Sequence, residues 1–84
     1  MKVEFLGIPR ERAGVAELEL DVDTLGQLLA ALEGRFPSLG MLVDSGRLHS
    51  SILASLNGDT FVSDPGTRLS KSDCVLILSA DAGG

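Results

Sequence analysis

The chain has no tryptophan and no tyrosine, and only three phenylalanines, one histidine and one cysteine among 84 residues. Each scarcity excludes something. One cysteine cannot close an internal disulfide, so nothing points to an oxidising compartment. Cys74 has no histidine nearby and no second cysteine at metal-ligand spacing. So few aromatics leave an aliphatic core. Cations are also scarce: seven Lys and Arg stand against twelve Asp and Glu, for a net charge of −5. The only basic cluster is Arg10 and Arg12, split by Glu11. That balance argues against nucleic acid and suits solubility and a basic partner surface. No apolar run approaches membrane-spanning length. The N-terminus alternates charged and apolar residues, unlike a signal peptide, so a cytoplasmic protein is expected. The ten glycines are scattered, and none forms a GxGxxG or P-loop.

What is present is ordinary for a globular protein: 44% apolar and 23% charged residues. The length suits one domain, residues 1–84, with a modest core. Lys2-Val3-Glu4-Phe5-Leu6 alternates as a strand until Gly7 and Pro9 break it. Ile8 to Gly14 reads as a loop. Val15 to Val22 alternates again, with Ala16, Leu18, Leu20 and Val22 facing in, and pairs with the first run as an antiparallel hairpin.

The period then changes. Leu25, Leu28, Leu29, Leu32 and Phe36 form one stripe of an amphipathic helix, expected from Thr24 to Arg35. Thr24 with Gln27 fits a capping box, and Pro37 should end the helix. Ser38 to Ser50 is less regular: Leu39, Met41, Leu42 and Val43 suit a short helical turn lidding the core, and Asp44-Ser45-Gly46 a turn. Ile52 to Leu56 alternates as a third strand. Asn57-Gly58 is the strongest hairpin signal, and Thr60-Phe61-Val62 follows as a short fourth strand. Cys74 to Leu78 is the most apolar strand and therefore central. A hairpin, a helix, a hairpin-like pair and a central last strand fit one helix laid across a mixed four- to five-stranded sheet, with the first and last strands adjacent and parallel. This is an α+β fold, the β-grasp arrangement.

After the last strand the sequence turns small and ends Ser79-Ala80-Asp81-Ala82-Gly83-Gly84. Residues 79–84 read as a flexible tail, thin enough to enter a partner's narrow active site. On the two glycines alone, a frayed chain end is the plainer reading.

Over its whole length the chain resembles the ubiquitin-like sulfur carriers. These include the small subunit of molybdopterin synthase and the carriers of the thiamine and cysteine pathways. The resemblance rests on Arg10-Glu11 with Gly14, Thr24-Leu25-Gly26, Leu48-His49, Leu56-Asn57-Gly58 and terminal Gly83-Gly84. It departs from the family in lacking a proline shortly before the glycines. It also has Lys71-Ser72-Asp73 where the family has Asp-Gly-Asp. The resemblance implies a carrier that is a cosubstrate rather than an enzyme and binds no cofactor or metal itself. Its partners would be an E1-like adenylating enzyme using ATP and Mg, a sulfur donor, and a sulfur-accepting synthase. Gly84 would carry the adenylate and then the thiocarboxylate, with Gly83, Ala82 and Asp81 giving access and reach. The pathway would be molybdopterin (molybdenum cofactor) biosynthesis or a related transfer, such as cysteine synthesis or tRNA thiolation. The alternative is a ubiquitin-like modifier, or an interaction module, conjugated or docked through Gly83-Gly84.

A second functional hint comes from the last strand. Val75 and Ile77 should face the helix. Leu76 and Leu78, with Leu6 on the neighbouring strand, should form an exposed apolar patch on the other face, where the family binds its partners. Arg10, with Glu11, reads either as half of a loop ion pair or as a partner contact. His49 reads as a surface or capping residue, and Cys74 as a small strand residue.

Overall fold

The computed structural model describes residues 1–44 and 47–80. Its elements are β1 (Lys2–Leu6), α1 (Ile8–Ala13), β2 (Glu17–Glu19), α2 (Leu25–Arg35), a 3₁₀ helix (Pro37–Leu42), β3 (Val43–Asp44), β4 (Arg47–Leu48), β5 (Ile52–Leu56), β6 (Thr60–Phe61) and β7 (Cys74–Ser79). The main sheet runs β2-β1-β7-β5-β6, and β3-β4 form a separate small pair. β7 is central: it pairs parallel with β1 and antiparallel with β5. The expected mixed sheet, with first and last strands adjacent and parallel beneath one main helix, is therefore observed. No helix among the described residues is long and apolar enough to cross a membrane.

Side-chain alternation decides the register. Val3 stands beside Val75 and Phe5 beside Ile77. All four are buried against the stripe Leu25, Leu28, Leu29 and Leu32 of α2. Each fully buried leucine contributes about 1.5–3 kcal/mol, so this face is the main source of stability. Thr24 caps α2 by accepting the Gln27 N–H at 3.2 Å, and the Gln27 side chain accepts the Asp23 N–H at 2.7 Å. Phe36 closes the helix and packs edge-on against Phe5, with ring centres 5.9 Å apart. Gly26 allows the first turn of α2 to sit against the Asp64-Pro65-Gly66 turn. A Cβ there would stand 3.1 Å from the Pro65 carbonyl, which accepts the Gly26 N–H at 2.9 Å.

Several local expectations are corrected. Ile8 to Ala13 is a helix, not a loop. Pro9 starts it and is buried, and Gly14, at φ 76°, ends it by donating to the Arg10 carbonyl. So short a helix depends on tertiary contacts; one is the Ser38 hydroxyl donating to the Arg12 carbonyl at 2.6 Å. The strand expected over Val15 to Val22 shrinks to Glu17–Glu19, paired with Lys2 to Glu4, although single backbone bonds continue to Ala16 and Leu20. Val62 lies just beyond β6, although its N–H still reaches the Ala54 carbonyl. The short helical turn expected after α2 is found, as a 3₁₀ helix that buries Leu39. The side chains of Met41, Leu42 and Val43, and residues Ser45 and Gly46, lie outside those described. β7 extends one residue further than expected, through Ser79.

The hairpin and the central strand are tied by polar contacts. Asn57 (φ 55°) and Gly58 (φ 71°) turn the chain between β5 and β6. The Asn57 side chain accepts the Cys74 N–H at 2.8 Å and donates to Asp73 at 2.9 Å. Asp73 also accepts the Ser70 N–H and hydroxyl. These bonds, Asn57 first, hold the Asp73 carboxyl below its ordinary value of 3.8.

Ile77→Ala should cost about 2–5 kcal/mol, read from urea unfolding followed by circular dichroism. Asp73 supplies its stabilisation above its unfolded pKa and loses it as pH falls through the lower folded value. Asp73→Asn should therefore flatten the loss of stability below about pH 4, measured as the urea midpoint against pH.

Candidate functional site

The helix covers only one side of the sheet. On the other, the pairing sets Lys2, Glu4 and Leu6 of β1 beside Cys74, Leu76 and Leu78 of β7. It continues through Leu53 and Ser55 of β5 to Phe61 of β6, which stands opposite Ser55. This outer face is divided. Toward β2 it is charged: the Lys2 ammonium lies 3.1 Å from Glu17, which raises its pKa, and the Cys74 thiol donates to Glu4 at 2.9 Å. Toward β5 and β6 it is apolar. Phe61 is 62% exposed and Leu6 44%, while Leu53 and Leu76 are half-buried.

Leu78 departs from expectation. It lies on the outer face, as its phase requires, but is only 7% exposed. In the ladder it stands between Leu6 and Leu53, which flank it. It is the floor of the patch rather than its surface, and an Asp there would bury a charge. The exposed part is Leu6 and Phe61. Sequence reading overlooked Phe61, although counting strand alternation back across the Asn57-Gly58 turn places it on the face of Leu53 and Ser55.

Arg10 is not part of the patch ladder. It projects from α1 and lines an open groove with Gly7, Glu11, Gly14, Val15 and Ala16. Because β1 and β7 are parallel, α1 follows β1 at the same end of the sheet at which β7 finishes. At that end the Ala80 N–H donates to the Ser51 carbonyl at 2.7 Å. The tail therefore does not begin at Ser79, which is a buried strand residue, nor at Ala80, which is still tied. Asp81, Ala82, Gly83 and Gly84 lie outside the described residues.

Cys74 is not an activated nucleophile. Partial burial, then the Glu4 carboxylate that accepts its S–H hydrogen bond, pushes the thiol up to about 11.

The model of the ThiS family matches residues 3–84. The chain belongs to the ThiS family. Solved structures agree with this ThiS-family assignment. The small archaeal modifier protein 1 of Methanosarcina acetivorans is 28% identical with a TM-score of 0.80, over 99% of this chain and 94% of that one. The corresponding protein of Haloferax volcanii is 27% identical with a TM-score of 0.77, over 100% and 98%. The Amycolatopsis orientalis BexX/CysO complex contains a chain 26% identical with a TM-score of 0.81, over 99% and 98%. A search of the curated proteins finds no match. The ThiS-family match and these neighbours place the chain among ubiquitin-like sulfur carriers and modifiers, as the sequence resemblance implies.

For the thiol, the sign of the effect is testable. Glu4→Gln removes the carboxylate that opposes thiolate formation. It should lower the Cys74 pKa and speed its reaction with a disulfide reagent at pH 8, measured by thiolate absorbance and reagent release.

Proposed function

We propose that this ThiS-family chain is a sulfur carrier whose C-terminal Gly84 carboxylate is the reacting group. The supporting observation is the placement of β7. The central strand is fixed on both edges and runs to the end of the sheet beside the apolar patch, where Ala80 makes its last described backbone tie. Docking through Leu6, Leu76, Leu78 and Phe61, with Arg10 nearby on α1, would aim that end of the chain into the partner. One similar structure is itself a complex, BexX/CysO, which supports a protein that works while docked.

In the first step a Gly84 carboxylate oxygen attacks the α-phosphorus of ATP, held with Mg by an adenylating partner, and pyrophosphate leaves. A hydrosulfide-level sulfur then attacks the carbonyl carbon of the acyl-adenylate. AMP departs with the bonding pair, leaving a C-terminal thiocarboxylate. The carboxylate needs this activation because its own leaving group would be oxide. The chain contributes the acyl group and its delivery and is a cosubstrate, not a catalyst. The sulfur would go to molybdopterin biosynthesis or a related acceptor, such as cysteine synthesis or tRNA thiolation, in the cytoplasm. A second reading, conjugation of Gly84 to lysines of other proteins, is favoured by the similarity to the small archaeal modifier proteins. Both readings share the adenylate.

Intact mass after incubation with ATP, the adenylating enzyme and a sulfur source separates them. Replacement of one oxygen by sulfur supports the carrier, whereas an amide-linked adduct alone supports the modifier. Deleting Gly84 should leave the melting temperature unchanged and abolish either product, because the next carboxylate is set back by about 3.3–3.6 Å, a misplacement that costs orders of magnitude. If the deletion reacts as well as the wild type, the proposal fails. Leu6→Asp and Phe61→Asp, both exposed, should keep the fold and raise the KM for the partner about tenfold or more.

A further inference from the structure

The last described tie of the tail is made outside the regular strands. Ile52 of β5 pairs with Ser79, and the next rung joins the Ala80 N–H to the carbonyl of Ser51, an exposed turn residue. An exposed turn carbonyl holds its direction only if something holds the turn. Here that is His49. Its Nδ1 accepts the Ser51 N–H at 3.2 Å and lies 2.9 Å from the Ser51 hydroxyl. Its carbonyl accepts the Ile52 N–H at 2.9 Å. A backbone N–H can only donate, so in this contact the ring nitrogen Nδ1 is the acceptor. The ring therefore acts as an aspartate or asparagine does in an Asx-turn, bonding the backbone two residues on.

We infer that His49 is a positioning residue for the C-terminal tail. It pins Ser51, Ser51 pins Ala80, and Ala80 fixes the point from which the last four residues depart. A chain spans at most about 3.3–3.6 Å per residue, so the origin of the tail bounds where Gly84 can arrive. A loose pivot spreads its positions without altering the docking face. The inference rests on the carrier reading for its catalytic consequence, but the pin itself can be measured independently.

The test uses three full-length proteins: wild type, His49→Ala and His49→Asn. Asparagine places an Oδ1 acceptor where Nδ1 stands, and alanine places nothing. Amide hydrogen exchange at Ala80, followed by NMR, should quicken about tenfold in His49→Ala and return to the wild-type rate in His49→Asn. Melting temperatures should be the same for all three, since His49 is exposed. With the adenylating enzyme from the same genome, ATP–pyrophosphate exchange should show kcat down about tenfold for His49→Ala at unchanged KM, and recovery for His49→Asn. Unchanged Ala80 exchange in His49→Ala overturns the pin. Faster exchange with unchanged kcat overturns its positioning role. A rise in KM with kcat preserved also overturns it, since that marks His49 as a docking contact. If the wild type itself supports no pyrophosphate exchange, the carrier and modifier readings fail together, and the exchange rates at Ala80 still decide the pin.

Discussion

The structure depends on the parallel contact between β1 and β7. Val3 beside Val75 and Phe5 beside Ile77 create the buried apolar platform on which α2 sits. Without β7, β1 and β2 form an isolated two-stranded ribbon, and β5 and β6 another. Neither is wide enough to bury four helical leucines. The pairing is also directional. Because it is parallel, the chain leaves β1 and β7 at the same end of the sheet, so α1 with Arg10 and the root of the tail are brought together by topology. The antiparallel neighbour β5 begins at that same end, which places His49 and Ser51 there as well.

One helix cannot cover both sides of a five-stranded sheet, and the two sides show different solutions to that shortage. The inner side is buried and apolar. The outer side is charged over β2 and β1, where Lys2, Glu4, Glu17 and Cys74 satisfy one another, and apolar over β7, β5 and β6. An aromatic ring as exposed as Phe61 contributes little to folding, which is consistent with a surface completed by another molecule.

Much of this was legible in the sequence because burial imposes period. The helix stripe and the phase of Val75 and Ile77 were readable from spacing, and the Asn57-Gly58 turn from residue type. What was not legible depended on contacts between distant segments. The helix at Ile8 to Ala13 has no periodic apolar stripe and is held by Pro9 and by Ser38 from across the fold. Leu78 has the phase of an exposed residue and the burial of a core one, and its ladder neighbours Leu6 and Leu53 lie on two other strands. The part played by His49 depends on a carbonyl direction that no residue type announces. Gly83 and Gly84 were read by resemblance, and their chemistry stands as a proposal.

The position of the central strand in the chain affects how the protein is made. Glu4 and Cys74, which meet across the middle of the sheet, lie 70 positions apart. On a ribosome adding roughly 5–20 residues per second, β1 waits several seconds for its neighbour. During that time its inner edge is an unpaired template, and the leucine stripe of α2 has no platform to cover. Nascent chains therefore pass through a state that is sticky on one edge and incomplete at its centre. The short β2 and β6 edges of the finished sheet give little protection at this stage, because the vulnerable edge is the one destined to become the middle.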